Sequence, residues 1–450
     1  MTSKIDKAVL PVFESFYSAS EPGKLYALEP EKVASEYALF EDDRTYTPDL
    51  RPTVDTNAIA EAIALSDEVR GGLDTIALSS LRQAYDTKLT ERDASLRQFE
   101  AIHTGDARVF KRADMTIHGE FDRDFGRASL AYLDEWSRMF SEGTLSQRHV
   151  ATDLQRRIAE TMTPGATSAI YPSESIYEAA KTAHENFYHR LLGDIAICDL
   201  VTHEDRKLII PQMLANLGAP ENMYAHVPRK KGITTWAISH AGRGEIRDPG
   251  LDMTRKRFVG MIGGHEIGTH VSERLNAMDG PVGLLEYGLA QYLHAGEAKG
   301  VMRETFAYDT IAEFQKLGRN QEIVLRAVLN AIVNMRPRTS FREWFEFAED
   351  VHALQILSEQ PDLTVEEAVA QAFSKARNSI KRAWRGGMVD ASGAILPKRE
   401  DESYLRGLNA QFQLAAKDPL YVERADLGKY NLANPQHRAQ LDDWGITARK

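Results

Sequence analysis

Two imidazoles flank a carboxylate in His265-Glu266-Ile267-Gly268-Thr269-His270, after an apolar approach made by Phe258, Val259, Met261 and Ile262. Neutral imidazoles bind borderline metal ions, and a carboxylate fixed beside them can take a proton from metal-bound water. The familiar helical form of this chemistry, H-E-x-x-H, sets its histidines four apart on one face. Here they are five apart (270 − 265 = 5). At about 100° per residue the second ring falls roughly 140° from the first on a regular α-helix, so the two cannot aim at one ion. The spacing therefore predicts a local widening, a π-bulge, which Gly268 would tolerate. Without it, the same residues are ordinary surface or capping groups.

The string HEIGTH resembles the H-E-x-x-x-H motif of a family of zinc metallopeptidases. That family includes the microtubule-associated tyrosine carboxypeptidases and bacterial flavohemoglobin expression-modulating proteins with a Gln-Glu-Gly-Leu-Ala motif. Its third zinc ligand is a downstream Glu, which in the bacterial branch follows a segment like G-L-A-x-Y. This chain has Gly288-Leu289-Ala290-Gln291-Tyr292 and then Ala295-Gly296-Glu297-Ala298-Lys299-Gly300. The placement that keeps both segment and ligand makes Glu297 the third ligand, 27 residues past His270 (297 − 270 = 27). Matching Leu285–Ala290 to the motif instead would make it Glu286. The departure is that Gln-Glu-Gly-Leu-Ala reads here Gly-Glu-Ala-Lys-Gly.

Arg382-Ala383-Trp384-Arg385-Gly386-Gly387 and Ser403-Tyr404-Leu405-Arg406-Gly407 resemble the family's R-x-x-R-G-G and Y-L-R-G segments. The resemblance spans roughly residues 172 to 436. It implies a gluzincin-like fold, a Zn2+ ion on His265, His270 and Glu297, and Glu266 as general base. Tyr404 would be the oxyanion donor, and Arg406, Arg385 and, more weakly, Arg382 would bind a substrate's terminal carboxylate. The implied activity removes a C-terminal residue, Tyr or another large one, from a peptide or protein. An endopeptidase or amidase, and a non-catalytic binding protein with a degenerate site, are the rival expectations. His226, His240 and His294 are further candidates to support the ligands.

At 450 residues, 43% hydrophobic, the chain can bury a generous core. A net charge of −11 and the lack of a long basic tract argue against a nucleic-acid partner. No apolar run approaches the roughly 18 residues a membrane helix needs, and the N-terminus lacks the apolar core of a secretory signal. The single cysteine, Cys198, fits a reducing compartment, so a cytoplasmic protein is expected. Its apolar neighbours Ile195, Ile197 and Leu200 predict a buried thiol.

These groups must be held by a predominantly helical α+β fold with a small sheet beside the motif helix. Residues 1–160 carry apolar positions at helical spacing, including Phe13, Phe16, Ile59, Ala62, Leu81 and Tyr85, and read as a helical N-terminal region. The stripe Tyr132, Leu133, Trp136, Met139 and Phe140 reads as core. Thr163-Pro164-Gly165 marks a boundary, 165–436 form the catalytic domain, and 437–450 a polar, loosely held tail. Ser175/Glu178, Thr202/Asp205, Ser340/Glu343 and Thr364/Glu367 have capping-box spacing. Ile233–Ser239 is the best strand pattern and the expected edge for an extended substrate. Residues 390–399 suggest a small hairpin.

Overall fold

The computed structural model describes residues 4–27, 29–162, 169–221, 223–227, 237–239, 244–336, 338–384 and 386–446. Helices dominate. The first half contains α1 (Leu10–Ala19), α2 (Pro30–Asp42), α3 (Thr56–Gly72), α4 (Ser79–Thr104), α5 (Ala107–His118), α6 (Arg123–Arg138) and α7 (Leu145–Thr161). Next come α8 (Glu174–Ala183), α9 (Glu185–Leu192), α10 (His203–Asn216) and three short strands, β1 (Ala225–Val227), β2 (Ala237–Ser239) and β3 (Glu245–Arg247). The motif helix (Phe258–Val271) runs into α11 (Ser272–Asp279) and is followed by α12 (Leu293–Thr305) and α13 (Gly318–Met335). The remainder is α14 (Phe341–Glu359), α15 (Val365–Trp384), a 3₁₀ turn (Arg399–Tyr404), α16 (Leu408–Lys417) and α17 (Pro435–Asp443).

Local chemistry explains many of the starts. Thr202/Asp205, Ser340/Glu343 and Thr364/Glu367 form reciprocal capping boxes, as their spacing predicts. Ser175 does not cap: α8 starts one residue after Ser173, whose hydroxyl meets that of Ser175 at 3.1 Å. The predicted boundary turn at 163–165 lies outside the described residues, as do positions 233–236 of the strand pattern. What is described of that pattern, β2, is an edge: it pairs antiparallel with β3, which pairs parallel with β1. β2 also lies against the motif helix. The small hairpin forms as Met388–Val389 against Ile395–Leu396.

Among the described residues two apolar cores result. The larger gathers Tyr37 and Phe40 from α2 with α6–α10, the motif helix and α12–α16. Within it, Trp344 and Phe345 of α14 face Trp384 and Phe373 of α15 at ring separations of 6.2 and 5.1 Å. The smaller core joins α1, α3 and α4 to Leu284, Leu285 and Leu289, and to Leu441 and Trp444. The described part of the C-terminal segment, 437–446, is held rather than loose, since α17 buries Leu441 and the Trp444 indole donates to Ser80 Oγ at 3.0 Å. Two further expectations fail on geometry. Cys198 is exposed, because the chain between α9 and Leu200 runs over the surface and leaves Leu200 itself 55% exposed. Met139 falls just past the end of α6 and projects outward.

His184, the residue between α8 and α9, is fully buried among Phe187, Phe306 and Tyr421 and donates from Nδ1 to the Ala180 carbonyl. Burial pushes this ring down to about 3, with the Arg303 charge acting in the same direction. The unfolded chain, with an ordinary value near 6.5, therefore binds the proton first, and stability drains away as pH falls from about 6.5 towards 3. Urea unfolding at a series of pH values is expected to show this loss, with a shallower slope in His184→Gln.

Candidate metal centre

His265 and His270 meet because the whole of Phe258–Val271 is π-helical, with i→i−5 bonding that swings residues five apart towards a common face. The sequence predicts a local bulge; the structure widens fourteen residues. The two rings lie 5.2 Å apart, centroid to centroid.

The third group arrives on α12, which packs unusually close. A Cβ on Gly260 would sit 2.6 Å from the Glu304 carbonyl, so only glycine lets the two backbones approach this way. Gly300, three residues after Glu297, leaves room for the ligand itself, since a Cβ there would fall 2.8 Å from the His265 ring. Glu297 Oε2 then stands 3.3 Å from His265 Nε2, and Oε1 3.7 Å from His270 Nε2. One donor atom from each of the three residues lies within 4.8 Å of the others. Two ligand atoms on a tetrahedral ion bound at about 2.0–2.1 Å are roughly 3.3 Å apart, so this spacing suits such an ion with little movement.

Electrostatics agree with that fit. Burial disfavours a charge on His265, but Glu297 at one nitrogen and Glu304 at the other outweigh it and raise the ring to about 10. Burial lowers His270 to about 3 despite Glu297. Glu297 is held at about 2, because the His270 and His265 rings overcome its desolvation. A single positive charge is thus favoured in the middle of the cluster, and a cation binding there would displace the His265 proton. Glu266, next in the chain, is raised above the ordinary carboxylate value mainly by burial.

Behind His265 stands a residue that sequence reasoning missed. Glu304 Oε2 is 3.5 Å from His265 Nδ1, and Arg319 grips the same carboxylate with two guanidinium nitrogens. Such a carboxylate fixes which ring nitrogen faces the ion. Its signal was present: Glu297, Gly300 and Glu304 fall at i, i+3 and i+7, one face of α12.

Of the other predicted residues, Tyr404 joins the cluster, its ring 6.2 Å from that of His265 and 5.2 Å below the Arg326 guanidinium. Glu286 does not; its carboxylate pairs with Lys4 at 3.0 Å. Arg406 points elsewhere, donating to the His118 and Glu120 carbonyls at the end of α5. Arg382 pairs with Glu322 at 3.7 Å, and Arg385 lies outside the described residues. His294 bonds Ser403 Oγ through Nδ1; His240 is not described, and His226 lies in β1.

No protein-family model, curated protein or solved structure matches the chain. What fold and site define is therefore stated by chemistry alone: a helical protein whose π-helix and following helix bring two imidazoles and a carboxylate together, with a second carboxylate behind one ring.

With zinc as probe and a chromophoric chelator as competitor, Glu304→Gln is expected to weaken binding by about tenfold. Gly300→Ala should weaken it at least as much by displacing the His265 ring. Wild-type affinity in Glu304→Gln would remove that residue from the orientation of His265.

Proposed function

We propose that the protein is a zinc-dependent metallopeptidase, with His265, His270 and Glu297 as ligands. The observation that carries this reading is the convergence of these three side chains beside the half-buried Glu266. A donor set of two nitrogens and one oxygen suits zinc, whereas magnesium and calcium take oxygen ligands. Bound zinc would supply a water whose pKa falls from 15.7 to about 7. Glu266, beside a ligand, would hold a proton between that water and the leaving amine, a role its raised pKa suits. Tyr404, on the 3₁₀ turn facing His265, donates to the developing oxyanion. Strand β2, outermost among the described strands of its sheet and beside the motif helix, is where an extended peptide would pair.

Release of a C-terminal residue, with Tyr or another large residue preferred, is proposed from the family resemblance. One observation favours the endopeptidase alternative: the Arg406 guanidinium, the expected partner of a terminal carboxylate, is engaged by backbone carbonyls at the end of α5. Paired peptides with free and amidated C-termini discriminate, since exopeptidase action requires the free acid. Glu266→Gln is expected to lose at least about a hundredfold in rate, by the usual scale of general-base catalysis, while retaining zinc. Wild-type turnover in that variant would exclude Glu266 as the base.

A further inference from the structure

A helix that passes from i→i−5 to i→i−4 bonding must leave one carbonyl without an amide partner. The passage occurs here at the join between the motif helix and α11, where the Ser272 amide still reaches back to the Ile267 carbonyl, five residues away. Next in line is the Gly268 carbonyl. It accepts a hydrogen bond from Arg303 Nη1 at 2.5 Å. Arg303 is fully buried on α12, with its guanidinium 4.3 Å over the Phe187 ring and its Nη2 on Asp426 at 2.8 Å. Lys299 joins Asp426 to Glu273 at 3.2 and 2.5 Å, so two acids and two bases balance one another in the interior. One turn earlier, Thr269 Oγ1 donates to the Gly264 carbonyl, again five residues back, at 2.9 Å. Gly268 is required for more than tolerance of distortion, because a Cβ there would lie 2.8 Å from Phe187 and block the same assembly.

We propose that Arg303 and Thr269 are positioning residues that hold the motif helix in its π register. The guanidinium satisfies the carbonyl that the wide helix strands, and the threonine hydroxyl adds a second bond to the wide turn. Relaxation to α-helical bonding would offer the Gly268 carbonyl its ordinary amide partner, but would rotate His270 away from His265. Arg303 thus acts on the ligands through the backbone without touching them. The geometric claim stands on the helix alone; its consequence for metal rests on the zinc reading.

Two variants test this. Thr269→Val is isosteric and removes one bond; Arg303→Met combined with Asp426→Asn removes the clamp without stranding a buried charge. Amide exchange of residues 266–272, read by mass spectrometry without added metal, is expected to accelerate about tenfold in Thr269→Val and further in the double variant, while α14 and α15 keep wild-type rates. Cobalt(II) affinity should fall about tenfold, and the visible absorption of bound cobalt should change, reporting altered ligand geometry. Thr269→Ser should restore both. Wild-type exchange and an unchanged cobalt spectrum in the variants would overturn the proposal. If the double variant does not fold, Thr269→Val decides alone. If the wild-type protein binds neither zinc nor cobalt, the metallopeptidase reading fails, and the exchange data still decide the register.

Discussion

Backbone bonding in one helix sets the geometry of everything around it. With i→i−5 bonds over Phe258–Val271, His265 and His270 share a side; with i→i−4 bonds they would diverge by more than a quarter of a turn. Such bonding is intrinsically poor for a long stretch, so neighbouring elements must stabilise it. They do so from α12, whose backbone is admitted by Gly260, whose Glu297 completes the cluster and whose Arg303 meets the Gly268 carbonyl. One helix therefore supplies both one member of the cluster and the means of keeping the other two in place.

Around the cluster, several buried ions face partners of opposite sign. Arg319 neutralises Glu304, which in turn faces His265. Arg326 neutralises Asp401 while covering the Tyr404 ring. The four groups Glu273, Lys299, Arg303 and Asp426 cancel among themselves. Ion pairs of this depth contribute little to net stability, because desolvation offsets their attraction, but losing one partner is costly. Their effect is on orientation: each fixes a side chain or loop that borders the cluster. Arg399 and Arg406 extend the same principle, tying the 3₁₀ turn that carries Tyr404 to Asp114 and to the end of α5.

Much of this was legible in the amino-acid order. Five-residue spacing of the histidines demanded a widened helix, capping boxes placed three helix starts, and apolar periodicity found the faces of α1, α3 and α4. Helix periodicity also held the clue to Glu304, since it shares a face with Glu297. Other features depend on contacts that no local pattern encodes. Arg406 sits in a motif-like string, yet its guanidinium is used by carbonyls nearly three hundred positions away, at 118 and 120. Cys198 has apolar neighbours but lies where the chain crosses the surface. The polar C-terminal segment is held by two residues, Leu441 and Trp444, whose partners on α4 are remote in sequence.

Those remote pairings have a consequence for how the molecule comes into being. Asp6 accepts from the Gly283 and Leu284 amides and from Tyr85, while Ser80 meets Trp444 across 364 positions of chain. Asp426, a member of the charge group behind the motif helix, is likewise donated by a late segment. Such long-range closures carry a high entropic cost before they are rewarded, and they slow folding. On a ribosome, the histidines would emerge well before Asp426, on which the Arg303 clamp depends. The geometry of the His265, His270 and Glu297 cluster is therefore an attribute of the finished chain, and nascent intermediates would carry the HEIGTH string without the shape that gives it meaning.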